Sequence, residues 1–380
     1  MMNKTHLIIA SAAAVLVMIG PFFSGIGASA KEAEAPEVSY NLYFGDLHDH
    51  TSFSDGWEGT PADAYNAARI AGADFLATTD HYFMLSPEEW ATSLQMADEC
   101  TSDTFVAMAG YEYWMPSQGE ANVYNAVTMP PSAITTTTAN RGNAGNHGPS
   151  WNALPRFYDW LAQNPGTSAQ WNHPDYMTNN FQDYAFLTPA RDQGMNIIEI
   201  HNYGSWLWKG VLDYESSYVM ALDKGWHVMP AANSDTHNPD WISGYEPRTV
   251  LLAPSLTRSD LYDAMSACRG YATLDKNLQV TYTLNGAIMG STLSPADSYT
   301  ASIHIMDPDG TPSDAITLVE IISDGGVVVA SLNADSTTVD WSVTLDSAGA
   351  HYFYVRVSTQ SNVSGGPGLT AWTAPVWTGS

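Results

Sequence analysis

Two patterns of apolar and polar positions divide the chain. Between about residues 41 and 272, short apolar runs alternate with amphipathic helical stretches, and from about residue 278 strict apolar/polar alternation takes over. The first pattern predicts strands at 41–47, 74–79, 105–112, 169–172, 196–200, 227–233 and 249–253, with helices between most of them. Such alternation implies an α/β layer architecture built on a parallel sheet or barrel. Thr60-Pro61-Ala62-Asp63 and Ser86-Pro87-Glu88-Glu89 each place a capping residue, a proline at the first helical position and an acid in the first turn, which marks helix starts. Thr257 with Asp260 repeats the device. In the second pattern VTYTLNG, YTASIHIMD, ITLVEIIS, GGVVVAS, TVDWSVTL and HYFYVRVS are separated by turn clusters such as DPDG and SDGG. This predicts a small all-β sandwich. The expected organisation is an export signal at 1–30, a polar lead-in at 31–39, an α/β domain at 40–275 and a β-sandwich domain at 276–380.

The first thirty residues carry Lys4, an apolar stretch over 7–19 and the small-x-small pattern Ala28-Ser29-Ala30, the features of a cleaved export signal. Pro21 and the Gly/Ser run after it leave that stretch short of the ~20 residues that span a bilayer. The mature chain is therefore expected to be secreted or periplasmic, with no membrane span. Thirteen Lys and Arg against forty Asp and Glu give a net charge of −27, which is poorly suited to nucleic acid. Two cysteines in 380 residues exclude a disulfide-stapled mini-domain and a four-cysteine zinc module. Cys100 and Cys268 either pair or remain separate thiols.

The chemistry lies at the predicted strand ends, where α/β sheets and barrels place functional side chains. Strand one ends in GDLHDHTSFSDG, which puts His48 and His50 on one side of an extended backbone and brings Asp55 back within reach. TTDH contributes His81, GYEY contributes Glu112, WNHPD contributes His173, IEIHN contributes His201, and NSDTH contributes Asp235 and His237. Imidazoles and carboxylates without thiolates form a donor set for Zn, Mn or Fe in hydrolysis. No Gly-x-Ser-x-Gly elbow occurs near a strand end and no glycine-rich phosphate loop leads to a lysine, which disfavours covalent and nucleotide-driven chemistry.

These residues resemble the PHP (polymerase and histidinol phosphatase) family, and more closely its secreted branch grouped with CehA/McbA-type metallohydrolases. The resemblance covers about residues 40–275 and rests on HDHTSFSDG, TTDH, GYEY, NHPD and NSDTH in that order. It implies a distorted seven-stranded (β/α) barrel holding two or three divalent ions. Carried over position by position, it implies His48, His50, Asp55, His81, Glu112, His173, Asp235 and His237 as ligands, with Glu112 as the bridging carboxylate. One position departs: relatives commonly have Gly-His-x-Asn where this chain reads Gly119-Glu120-Ala121-Asn122. Either Glu120 ligates as a carboxylate or it has turned outward and left one ion more weakly held. His201 is a candidate substitute ligand.

The expected nucleophile is a metal-bound hydroxide near Glu112 and Asp235. Arg248 and Arg269 are candidates for gripping a phosphate oxygen, beside the plainer reading of surface salt bridges. The leading expectation is an exported metal-dependent phosphoesterase acting on a small-molecule or extracellular ester. The alternatives are a carboxyl-ester or carbamate metallohydrolase, for which Trp151, Trp160, Trp171, Trp206 and Trp208 are candidate pocket residues, and an inactive extracellular glycan-binding module. Eight matching ligand positions oppose the last, because grouped buried charge is costly without a purpose. The long loop over 130–150 is a candidate frame for the site, with His147 read as a solvated loop residue. His227, His304 and His351 read as structural or surface histidines. Trp372 and Trp377 are expected to pack against the sandwich or the barrel.

Overall fold

The computed structural model describes residues 39–115, 118–130, 153–174, 180–203, 214–347, 349–361 and 368–379. The expected export signal, nearly all of the lead-in, His147 and most of the 130–150 loop lie outside these residues, as do Trp151, Trp206 and Trp208. Strand β1 (Asn41–Asp46) runs parallel to β2 (Phe75–Thr78), and β2 runs parallel to β3 (Val106–Met115). β3 folds back into antiparallel β4 (Gly119–Tyr124), which pairs antiparallel with β5 (Ser168–Asn172). β6 (Met195–Asn202) and β7 (Met229–Asn233) then continue parallel to β5. β8 (Arg248–Ala253) returns antiparallel along the free edge of β1.

Each of the seven expected runs lies on one of these strands, and the architecture is mixed α/β with parallel strands. β4 adds an eighth strand between β3 and β5 that the sequence pattern does not announce. Its first four residues, Gly-Glu-Ala-Asn, are poor strand formers, and the segment is extended because both neighbours pair with it. The first approach in the sheet depends on Gly45, where a Cβ would lie 2.3 Å from the Phe75 carbonyl oxygen.

The two ends of the run meet through a side chain. Thr249 Oγ1 on β8 accepts from Ala232 N on β7 at 3.1 Å and lies 3.2 Å from Ala232 O and 2.9 Å from Asn233 Oδ1 as donor. Thr249→Val keeps the volume and removes these bonds, leaving a buried N–H unpaired. The expected loss is about 1–3 kcal/mol in urea unfolding, and a loss below about 0.5 kcal/mol, within the range of an ordinary surface change, would show that the closure does not depend on the hydroxyl.

Helices α1 (Pro61–Ile70) and α2 (Pro87–Cys100) begin where the capping signals stand, each with a complete capping box. α3 (Ala153–Gln163), α4 (Pro189–Asp192), α5 (Glu215–Asp223) and α6 (Arg258–Ser266) follow, with Thr257 capping α6. Trp160 and Trp171 belong to an aromatic core rather than to a pocket, and Trp171 Nε1 donates to Tyr158 Oη at 3.0 Å.

The remaining strands are β9 (Gly270–Thr273), β10 (Gln279–Leu284), β11 (Ala287–Ile288), β12 (Ser298–Met306), β13 (Ile316–Ser323), β14 (Val327–Ser336), β15 (Thr338–Asp346), β16 (Tyr352–Thr359), β17 (Gly368–Thr373) and β18 (Val376–Trp377). β11, β10, β12 and β15 form a separate four-stranded sheet in that order. β14, β13, β16 and β17 pair in sequence and continue the first sheet, because β17 pairs with β9 and β9 with β8. Arg356 on β16 reinforces the junction by donating to both carboxylate oxygens of Glu215 on α5 and to Glu320 on β13. Trp372 and Trp377 are both buried, and the Trp377 ring lies 4.5 Å from that of His227. His227, His304 and His351 pair with Asp192, Asp340 and Asp324. The two thiols are separate, that of Cys268 donating to the carbonyls of Asn196 and His227.

Candidate metal centre

Strand alternation places His48 and His50 on one side of the chain leaving β1, and their Nε2 atoms lie 3.4 Å apart. The segment is held from both flanks. Asp46 accepts from the backbone N–H groups of His48 and Ser234, each at 2.9 Å, and so couples the ends of β1 and β7. Asp80 accepts from Thr51 N, Thr51 Oγ1 and Ser54 Oγ at 2.8, 2.7 and 2.6 Å, which shapes the turn that returns Asp55.

Glu112, from β3, is the hub. Its Oε1 lies 3.3 Å from His48 Nε2 and 3.4 Å from His173 Nε2, and its Oε2 lies 3.4 Å from His50 Nε2 and 2.9 Å from His81 Nδ1. Asp235 Oδ1 closes on His48 and His50 at 3.3 and 3.2 Å. Asp55 lies 3.4 Å from His81 Nε2 and 3.3 Å from His237 Nε2. Glu120 turns inward, 3.5 Å from His173 Nε2. His173 and Asp235 adopt left-handed backbone conformations, with φ of 28° and 51°. That strain is costly for residues with a Cβ and gathers at functional sites.

These atoms form four overlapping groups whose ligand atoms all lie within 4.8 Å of one another: His50, Asp55, His81 and His237; His48, His173 and Asp235; His48, His50 and Glu112; His81, Glu112 and Glu120. Most nitrogen-oxygen separations are 3.2–3.5 Å, longer than the usual ~2.9 Å of a hydrogen bond. Two donors about 2.0–2.2 Å from one tetrahedral ion stand roughly 3.3–3.6 Å apart. His81 Nδ1 is buried, 2.9 Å from Glu112, and still without hydrogen-bond geometry. Lone pairs therefore converge on shared points instead of pairing with each other, and the residues fit divalent metal ions.

The charge balance agrees. Burial alone would lower the pKa of His48 and His81, yet carboxylates hold both well above the usual imidazole value: Asp235, Glu199 and Glu112 for His48, and Glu112 and Asp55 for His81. His173, opposed by burial but facing Glu112 and Glu120, rises to about 9. Burial and the neighbouring Glu112 push Glu120 up to about 7. Burial would raise Glu112 and Asp235, but the imidazoles hold both below the usual carboxylate range. The carboxylates that hold protons on these imidazoles would equally favour a divalent cation in place of those protons.

Glu199 is a functional candidate that motif spacing did not single out. Its Oε1 lies 2.8 Å from His48 Nδ1 and accepts from Asn233 Nδ2 and Gln170 Nε2, and its Oε2 accepts from His173 N at 2.6 Å and Asn202 Nδ2 at 2.9 Å. The signal available in the sequence was an acidic residue inside an apolar strand run, two residues before His201 in IEIHN, and the structure buries it fully. His201 itself belongs to none of the four groups. A bulge between Glu199 and His201 shifts the register, and it is Asn202 that reaches Asp235, at 3.2 Å.

The two arginines are not directed at the centre. Arg248 is buried and donates to the carbonyls of Tyr245, Pro247 and Ile242. Arg269 covers the Tyr40 ring and donates to Leu252 O, beside the start of β1 and hence at the end opposite His48. Among the described residues, no Lys or Arg pairs with a carboxylate of the four groups. The wall beside His81 is aromatic, with the Phe83 ring stacked at 5.1 Å and Trp114 5.9 Å beyond it.

No family model matches the chain, and no curated protein matches it. Among solved structures, the chain is similar to a two-domain protein from Bacteroides vulgatus described as containing a predicted PHP-like metal-dependent phosphoesterase. The identity is 16% and the TM-score 0.46, over 89% of this chain and 96% of that one. It is also similar to an amidohydrolase from Chromobacterium violaceum with bound sulfate, at 15% identity and a TM-score of 0.35, over 51% of this chain and 87% of that one. At these values neither likeness decides a fold or a chemistry for this chain. The centre stands on its own geometry.

Proposed function

We propose that the chain is an exported metal-dependent hydrolase of the PHP type, a phosphoesterase using two or three divalent ions. One observation carries the reading: imidazoles and carboxylates from the ends of β1, β2, β3, β4, β5 and β7 converge at coordination spacing. His48, His50, Glu112, His173 and Asp235 are the main candidate holders of the inner ions, and Asp55, His81 and His237 of the outer one. Bound ions supply an acidified water and positive charge at the substrate's oxygens. The chain's own contribution is position and access. His48, His50 and Glu112 are sealed from solvent, whereas Asp55 and His237 are 41% and 35% exposed. Substrate therefore enters on the Asp55 and His237 side, beside the aromatic wall of Phe83 and Trp114.

A second reading, a carboxyl-ester or carbamate hydrolase, is favoured by the arginines. Arg248 and Arg269 spend their donors elsewhere, so among the described residues no cationic side chain would help the ions hold a phosphate dianion, whereas a neutral ester needs no cationic clamp. The deciding experiment is hydrolysis of a chromogenic phosphomonoester, a phosphodiester and a carboxyl ester by Zn- or Mn-loaded protein, with and without chelator. Chelator-sensitive turnover of phosphate esters alone is the expected result. Turnover of the carboxyl ester alone would move the protein to the second reading, and no turnover at full metal occupancy would remove the enzymatic reading.

A further inference from the structure

Away from this centre, the connection between β9 and β10 meets the connection between β12 and β13 at three carboxylates. Asp275, Asp307 and Asp314 each offer an oxygen within 4.8 Å of the others. Each is held by its own loop: Asp275 Oδ1 accepts from the N–H groups of Asn277 and Leu278, Asp307 Oδ1 from that of Asp309, and Asp314 Oδ2 from the N–H and hydroxyl of Thr311.

Two buried acceptors here have no hydrogen-bond partner, Asp307 Oδ2, on a residue only 3% exposed, and Asn277 Oδ1. The Asn277 side chain is placed between the two loops by its Nδ2, which donates to Asp309 at 3.0 Å. Among the described residues no cationic side chain pairs with the three aspartates. Lys276 pairs with Asp309 instead, at 3.2 Å, and the Arg248 guanidinium is taken up by carbonyls. Burial, then the neighbouring Asp275, push the Asp307 carboxyl up to about 6. An unpaired buried carboxylate oxygen beside two like charges is costly unless a proton or a cation joins it, and only a cation offsets the charge of all three carboxylates together.

We infer that Asp275, Asp307 and Asp314, with the amide oxygen of Asn277, form a second cation site of calcium type, separate from the hydrolytic centre. The donors are all oxygen, which selects a hard ion over zinc. Three carboxylates and an amide oxygen supplied by the protein suit calcium, which takes about six to eight oxygen ligands in flexible geometry, better than magnesium, which keeps several waters and usually takes one or two carboxylates. Such an ion ties the exit of β9 to the loop that links the two sheets, and it stabilises that junction without entering the reaction.

The test is calorimetric titration of calcium into chelator-treated full-length protein reloaded with Zn, together with thermal melts. One calcium per chain is expected, with a rise in Tm of roughly 2–5 °C at saturation. Asp307→Asn and Asp314→Asn should lose both responses, and Asp235→Asn should keep them. Asp307→Asn should also melt at or above the parent in chelator, because it removes the unpaired charge, a readout that loss of a merely structural aspartate would reverse. If Asp307→Asn fails to fold, the partly exposed Asp314 carries the test. Absence of binding at 10-fold above about 1 mM, the weak end of extracellular calcium sites, would overturn the inference. So would a response that survives Asp307→Asn or disappears in Asp235→Asn.

Discussion

Glu112→Gln should lower hydrolysis at least ~10³-fold, a loss of about 4 kcal/mol in transition-state stabilisation, and should reduce the bound metal to one ion per chain or fewer. The reason is its position as hub. Its two oxygens face four imidazoles, those of His48, His173, His50 and His81, while Asn172 Nδ2 donates to Oε1 at 2.7 Å. Glutamine keeps the shape but replaces one oxygen with an NH2 group, which cannot ligate and which points at imidazole nitrogens or at Asn172. Metal content by mass spectrometry separates this from a folding defect. In chelator the variant should still unfold in one cooperative transition but melt below the parent, since the buried imidazoles of His48 and His81 lose the carboxylate that faces them. A variant that holds its metal and turns over at the parental rate would remove Glu112 from the centre.

Glu199→Gln should weaken metal affinity by about 10–100-fold while leaving the rate at saturating metal within about tenfold. Glu199 reaches the centre only through others. Its Oε1 holds His48 Nδ1, so that Nε2 turns its lone pair toward the cation position it would share with Glu112 and Asp235, and its Oε2 fixes the His173 backbone at its strained φ. Five donors converge on this carboxylate, three on Oε1 and two on Oε2, and an amide accepts at one end only, so at least two buried donors lose this acceptor at a cost of about 1–3 kcal/mol for each left unsatisfied. Competition against a chromogenic chelator measures the affinity, and the split between affinity and saturated rate identifies a positioning role. Equal affinity in the variant and the parent would show that His48 needs no such support.

Much of the site was legible because its determinants are local. His48 and His50 share a side through strand alternation, and the acid and histidine of NSDTH follow β7 directly. Helix starts at Thr60, Ser86 and Thr257 were equally readable, since a cap needs only the residues within one turn. β4 was not legible: Gly119-Glu120-Ala121-Asn122 has weak strand preference, and only pairing on both sides makes it extended. That pairing also turns Glu120 toward His173, an orientation that sequence left open between inward and outward.

The amino-acid sequence by itself determined the donor types, their order along the chain and their placement at strand ends, because these depend on residue identity and backbone period. Tertiary structure decided which of them meet. Glu199 lies under His48 across 151 residues of separation, a one-residue bulge in β6 presents Asn202 and not His201, and Arg248 is taken up by carbonyls of its own loop. Each outcome turns on register or on a long-range pairing. A single-residue slip moves a side chain to the opposite face of a strand, and no local pattern records it.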